Sequence, residues 1–159
     1  MMAREVPMTR KGLEECAQTY EGAFVHGDPE AQAKSVETAN VAAVRSMVEM
    51  IARDDYDAFS RVVSDTVSLK ILAPPDVPFI RNAEGAPGFL DAVRRNFAML
   101  EDQRPVLLSI VAQGDTVVCI AREQGRYAKD GRPYDLHAAQ EFVFREGKLE
   151  RIFEICVPS

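Results

Sequence analysis

Among the residues of this chain with the chemistry to move a proton, spacing along candidate strands decides which could share a pocket. Glu123 stands in "VVCIAREQG", where Val117, Cys119, Ala121 and Glu123 fall on one strand face and Val118, Ile120, Arg122 and Gln124 on the other. If the first face lines an interior, Glu123 is a carboxylate at its mouth, and burial would lift its pKa toward working pH. If not, it is a strand-end Glu paired with a neighbouring Arg. Gln140 shares a face with Leu136, Ala138, Phe142 and Phe144, so alternation turns it inward. It can donate and accept hydrogen bonds but cannot shuttle a proton. It reads either as a ligand contact or as a buried amide satisfied by the protein. Tyr56 lies on the inner face of a short helix, where its hydroxyl either reaches a pocket oxygen or sits at the rim of the core. His137 falls on the face opposite Gln140, and His26 precedes a helix-stop Gly. No second ligand stands at metal spacing from either, so no metal site is expected.

The elements that must position these groups follow from periodicity. Thr9 can cap a first helix whose face is Leu13, Cys16, Ala17, Tyr20 and Phe24. Gly27 stops it, and Asp28-Pro29 starts a second helix running to about Arg53, with Val41, Val44, Met47, Val48 and Ile51 as its core face. "DDYDAFSRVVSD" is a short third helix, and "TVSLKIL" alternates as a strand. "APPDVPFIRNAEGAPG" is too rich in Pro and Gly for regular structure and reads as a rim or lid loop. A fourth helix, "FLDAVRRNFAML", turns Phe89, Leu90, Val93, Phe97 and Leu100 inward.

From there the period changes from helical to alternating. "PVLLSIVAQ", "TVVCIAREQGRY", "PYDLHAAQEFVFR" and "KLERIFEIC" are candidate strands joined by short turns, two of them containing Asp-Gly and Glu-Gly. Helices followed by an antiparallel meander describe a single α+β domain. The chain has 159 residues, of which 47% are hydrophobic and 28% charged, as in ordinary globular proteins. Its net charge of −6 comes without a cluster of Lys or Arg, which argues against nucleic-acid binding. There is no apolar run of membrane-spanning length and no secretory pattern at the start. The three cysteines are widely spaced, as reduced thiols in a cytoplasm would be.

The order of elements and several local words resemble the NTF2-like superfamily. "AQGDTVVCI" is similar to its Gly-Asp-x-Val-Val strand opener, "DGRPY" to its second hairpin, and "FVFREGKLERIFEI" to its aromatic-x-aromatic, Gly-Lys-hydrophobic finish. The nearest subgroup is the SnoaL-like polyketide cyclases, themselves similar to ketosteroid isomerases. The resemblance implies a cystatin-like α+β cone in which a curved, mostly antiparallel sheet wraps N-terminal helices around a pocket. It covers about residues 40–157 and leaves residues 1–27 as an extra N-terminal helical extension packed on the sheet or on a partner.

The resemblance also implies cofactor-free acid-base chemistry, as an isomerase, cyclase or hydratase, on a small hydrophobic carbonyl compound. The alternative is a non-catalytic module that binds a small molecule or a protein. On the catalytic reading Asp65, Glu123 and Tyr56 are the candidate acid-base groups. Gln140, Phe97, Phe142, Cys119 and Phe59 are the candidate ligand contacts. Asp65 also has a plain structural reading, as a turn carboxylate before the first strand. Counting from Gly147 puts Val157 where the cyclase acid is expected, so the standard acid is missing and Glu154 reads as a strand-surface or salt-bridging residue. A homodimer through the sheet is the expected partner, with no nucleic acid and no membrane.

Overall fold

The computed structural model describes residues 29–159. The helix expected over Thr9–Val25, His26 and the Asp28 cap lie outside the described residues. Within them, three helices pack on a curved, unclosed six-stranded sheet. The elements are α1 (Pro29–Ala52), α2 (Tyr56–Arg61), β1 (Val63–Leu72), β2 (Asn82–Glu84), α3 (Ala86–Ala98), β3 (Leu100–Gln113), β4 (Thr116–Tyr127), β5 (Pro133–Arg145) and β6 (Lys148–Pro158).

The last four strands form the expected meander, because Gly114, Gly131 and Gly147 take the positive φ their tight turns need. β1 then lies parallel to β6, and β2 closes the far edge, giving the order β2-β1-β6-β5-β4-β3. β2 corrects the reading of the Pro-rich stretch as wholly irregular: Asn82–Glu84 pairs with Ser68–Lys70. Helix α3 starts earlier than Phe89, since Pro87 is tolerated in a first turn where its N–H has no helical partner.

Alternation along each strand puts one set of side chains under the helices. Phe59, Val67, Phe89, Val117 and Leu149 are wholly enclosed there, and the Phe59 and Phe89 rings meet at 5.9 Å between centroids. Each such side chain contributes roughly 1.5–3 kcal/mol by leaving water. Val44 and Met47 bring α1 onto this core. The polar first half of α1 faces solvent, as its sequence indicated.

Two buried amides fix the helices over the sheet. Asn40 Nδ2 donates to the Gly114 carbonyl at 3.1 Å, and the Gly114 N–H donates to Glu37 Oε1 at 2.9 Å, which ties α1 to the β3–β4 turn. Asn96 Oδ1 accepts the Ile80 N–H at 2.7 Å, and its Nδ2 donates to the Ile80 carbonyl at 3.1 Å. Arg81 donates to the carbonyls of Ala73 and Pro74 at 2.8 and 2.7 Å. These bonds hold the Pro-rich loop down as a rim, with Phe79 turned toward the interior.

Candidate functional site

The meander lays its inner face out in rows across three strands. Val117, Phe142 and Ile152 make one row, and Cys119, Gln140 and Glu154 the next. Ala121, Ala138 and Cys156 follow, and then Glu123 beside Leu136. The first row is bulky and closes one end of the space. The alanine row is small, so the helices above cannot fill what lies beneath them. Val48, Ile51 and Phe97 roof a chamber of about 130 Å³, with Phe59 and Phe142 among its walls. Val48 and Phe97 are 39% and 37% exposed because they stand at its opening rather than in the packed core. The chamber shares Val44, Val48, Phe97, Glu123 and Gln140 with an outer groove of about 570 Å³, whose edge carries Arg45, Asp54, Tyr56 and Arg94.

Polar groups converge on this apolar space. Glu154 accepts hydrogen bonds at both oxygens, from Gln140 Nε2 at 2.8 Å and from the Cys156 thiol at 2.8 Å. Glu123 lines the same chamber. Loss of solvent raises its pKa from 4.5 to about 7, and the negative charge of Glu154 pushes the same way. Burial and the adjoining Glu154 carboxylate hold the Cys156 thiol far above its ordinary range, and burial lifts Cys119 to about 11 against the opposing charge of Arg45. Both cysteines therefore stay protonated near neutral pH, and Cys156 serves as a weak donor rather than a nucleophile.

Each residue singled out from sequence has a definite place. Glu123, Gln140, Phe97 and Phe142 line both chamber and groove, Phe59 the chamber, and Cys119 the groove. Tyr56 stands at the groove's edge with the Arg94 guanidinium 4.7 Å from its ring centre. Its hydroxyl pKa is raised by burial and then by Asp54, with Arg94 opposing. Asp65 is not brought to this site: it is exposed on β1 and lines neither space. The β1–β6 register shifts between Val63 and Ser68, which takes Asp65 out of the strand's inward alternation.

Glu154 corrects its reading as a surface or salt-bridging residue. It points inward with Ile152 and Cys156, while Val157 lies 48% exposed on the outer face opposite His137. Leu149 and Ile152 are both buried although three residues apart, so an irregularity between them reverses the phase of alternation. That reversal is invisible in the sequence. Carried on from the turn, the hairpin register would set Phe153 across from the inward Gln140, and only the shift between Val143 and Phe144 brings Glu154 there.

Among the described residues no group of three or more His, Cys, Asp or Glu could hold a metal ion, and no helix is long and apolar enough to cross a membrane.

The sequence matches the family of SnoaL-like domains over residues 44–152. The chain belongs to the SnoaL-like family. No match was found among curated proteins. Solved structures share the fold at low identity. An NTF2-like protein from Burkholderia xenovorans LB400 aligns with a TM-score of 0.66 and 18% identity, over 76% of this chain and 91% of that one. A proposed SnoaL-like polyketide cyclase from Jannaschia sp. CCS1 gives a TM-score of 0.65 and 17% identity, over 84% and 91%. A proposed isomerase from Bacillus subtilis gives 0.58 and 17%, over 76% and 88%. The SnoaL-like match covers the second half of α1, β1, α3 and the meander up to Ile152, which form most of the chamber, and stops short of Glu154 and Cys156.

Proposed function

We propose that this SnoaL-like protein catalyses proton transfer on a small, mostly apolar carbonyl compound, as an isomerase, cyclase or hydratase working without a cofactor. The observation that carries the reading is the pair of carboxyl groups, Glu123 and Glu154, facing one apolar chamber in different environments. Two nearby carboxyl groups with unequal surroundings divide the labour of acid and base. Glu154, steadied by Gln140 and Cys156, takes a proton from the carbon beside the carbonyl. Glu123 holds its proton near neutral pH and gives it to the carbonyl oxygen as the enol forms. Return of a proton at a different carbon, or closure of a ring by the enol, completes an isomerisation or a cyclisation. The neighbours described as isomerase and cyclase agree with this class of reaction.

The test needs no natural substrate. Proton NMR in D₂O follows α-hydrogen exchange of 2-tetralone, a compact enolisable ketone, with wild-type protein and with Glu154→Gln. Exchange by the wild type well above both buffer and the variant supports the reading. Binding of the ketone with no such exchange would favour the non-catalytic binding module.

We also propose that a second copy of the chain covers the outer face of the sheet. Leu108, Val111, Ile155 and Val157 are 46%, 60%, 40% and 48% exposed there, around half-buried Val118, Ile120, Ala139 and Phe153. A continuous apolar patch of this kind marks an association surface. Light scattering should give twice the chain mass, and Val111→Lys with Ile155→Lys should return it to one chain.

A further inference from the structure

Among the described residues, the Tyr134 hydroxyl is a buried polar group with no partner. The residue is 7% exposed, and its oxygen has no hydrogen bond within reach. Leaving a buried hydroxyl unpaired costs about 1–3 kcal/mol, which a Phe in the same place would avoid. The ring has its reason: it packs at a tilt against Tyr127, at 5.2 Å between centroids, and with Val77 and Leu136. The oxygen has none in the resting structure.

Its position points to Glu123. Strand register sets Tyr134 opposite Gly125, and so diagonal to Glu123 on the same inner face. A Cβ at Gly125 would lie 2.7 Å from the phenol oxygen and 2.7 Å from the Glu101 carbonyl, so only glycine lets the hydroxyl reach under β4. The β3–β4 register slips between Glu101 and Arg104, and Asp102 takes a φ of 51°. Such bulges re-aim groups beside active sites. Burial first, and then the Glu123 charge, keep the phenol protonated and hence a donor at any working pH.

We propose that Tyr134 is a positioning residue for Glu123, its hydroxyl donating directly or through one water to the carboxylate whenever Glu123 has given up its proton. The inference rests on the reading of Glu123 as the proton-carrying acid of the chamber. The other groups that face Glu123 are Glu154 and Cys156 from β6 and Gln140 from β5. β3 presents Pro105 and Leu107, and the helices present apolar side chains and Asn96, with Arg45, Glu49, Asp54, Tyr56, Arg94 and Gln103 in the outer groove. Tyr134 is the donor nearest in register. A donor to the charged form lowers a carboxyl pKa, so its removal raises it.

Carboxyl-carbon NMR of the full chain, labelled at Glu and assigned through Glu123→Gln, reads this directly. The wild-type midpoint is expected near the value of about 7 set by burial. In Tyr134→Phe, which keeps the ring and its packing, it should rise by about half to one pH unit. The pH profile of ketone exchange should move with it. In the wild type alone, the Tyr134 ring-ζ carbon should shift at the Glu123 midpoint. A wild-type midpoint in the ordinary carboxylate range overturns the acid-pair reading and this inference together. A midpoint near 7 that Tyr134→Phe leaves unmoved, or a ζ-carbon that ignores it, overturns this inference alone.

Discussion

Glu123 and Asp135 sit one register step apart on neighbouring strands, yet the fold drives them in opposite directions. Glu123 points into the concavity, where lost solvent and the Glu154 charge raise its pKa to about 7. Asp135 points outward, where Arg122 grips it with Nε and Nη2 at 2.9 and 2.7 Å and Gln124 adds a bond at 2.7 Å. The Arg122 hydrogen bond foremost pulls its carboxyl far below the usual range. One strand alternation thus separates a carboxyl group whose pKa is raised from one whose pKa is lowered. The outer face satisfies its charges in pairs, as Arg151 and Glu141 also show, whereas the inner face concentrates two carboxyl groups that, among the described residues, have no cation bridged to either. Faces built for stability pair their charges, and an acid-base site must leave one unpaired.

The comparison breaks most sharply at Glu154. If the inner face is catalytic, Glu154→Gln should lower ketone exchange by about 10²–10⁴-fold with little change in melting temperature. An unchanged rate would reduce the inner pair to a structural feature. Next in size is the stability of Glu123→Gln. The folded pKa lies above the unfolded 4.5, so the native state holds the proton more tightly and stability falls as pH rises from about 4.5 to 7. Glu123→Gln should flatten that slope and unfold with about 1–3 kcal/mol more stability than wild type at pH 8, and about the same at pH 4. Denaturant titrations at the two pH values measure it.

Ala138→Leu tests whether the small row makes the chamber. The added bulk has only the cavity to enter, so ketone binding should fall by about tenfold or more, at a cost in stability of roughly 1–3 kcal/mol or less. Calorimetric titration with the ketone follows the first, and denaturant unfolding the second. The smallest effect belongs to the outer face. Asp135→Asn should cost less than about 1 kcal/mol at pH 7, since the pair is partly open to solvent. Because the folded pKa is depressed, that cost should begin to shrink as pH falls below the ordinary Asp value of 3.8 and disappear only below the still lower folded value. A loss larger than that of the inner variants would invert the comparison.

Much of the site was legible because strand alternation is strict where the ladder is regular. The inward set Val117, Cys119, Ala121 and Glu123, and the set from Leu136 to Phe144 that contains Gln140, follow from parity alone on β4 and β5, whose mutual register has no break. Glu154 and Asp65 were misjudged or left open for the converse reason. Both lie on strands whose register shifts, β6 against β5 and β1 against β6, and a single irregularity exchanges the two faces. Tyr134 escaped notice because its own sequence neighbourhood is that of any strand tyrosine. Its interest arises from Gly125 on the adjacent strand and from a hydroxyl left without a partner.

By itself, then, the sequence determined the order of elements, the meander, the membership in a family of folds, and the inward faces of the unbroken strands. These depend on local periodicity and on turn residues, which act over a few neighbours. The tertiary structure alone decided that Glu154 joins Glu123 in one chamber, that Asp65 does not, and that a row of small residues leaves that chamber open. Those outcomes depend on bulges and on cross-strand rows, where residues far apart in the chain meet. The environment that sets a carboxyl group's pKa is made of such neighbours.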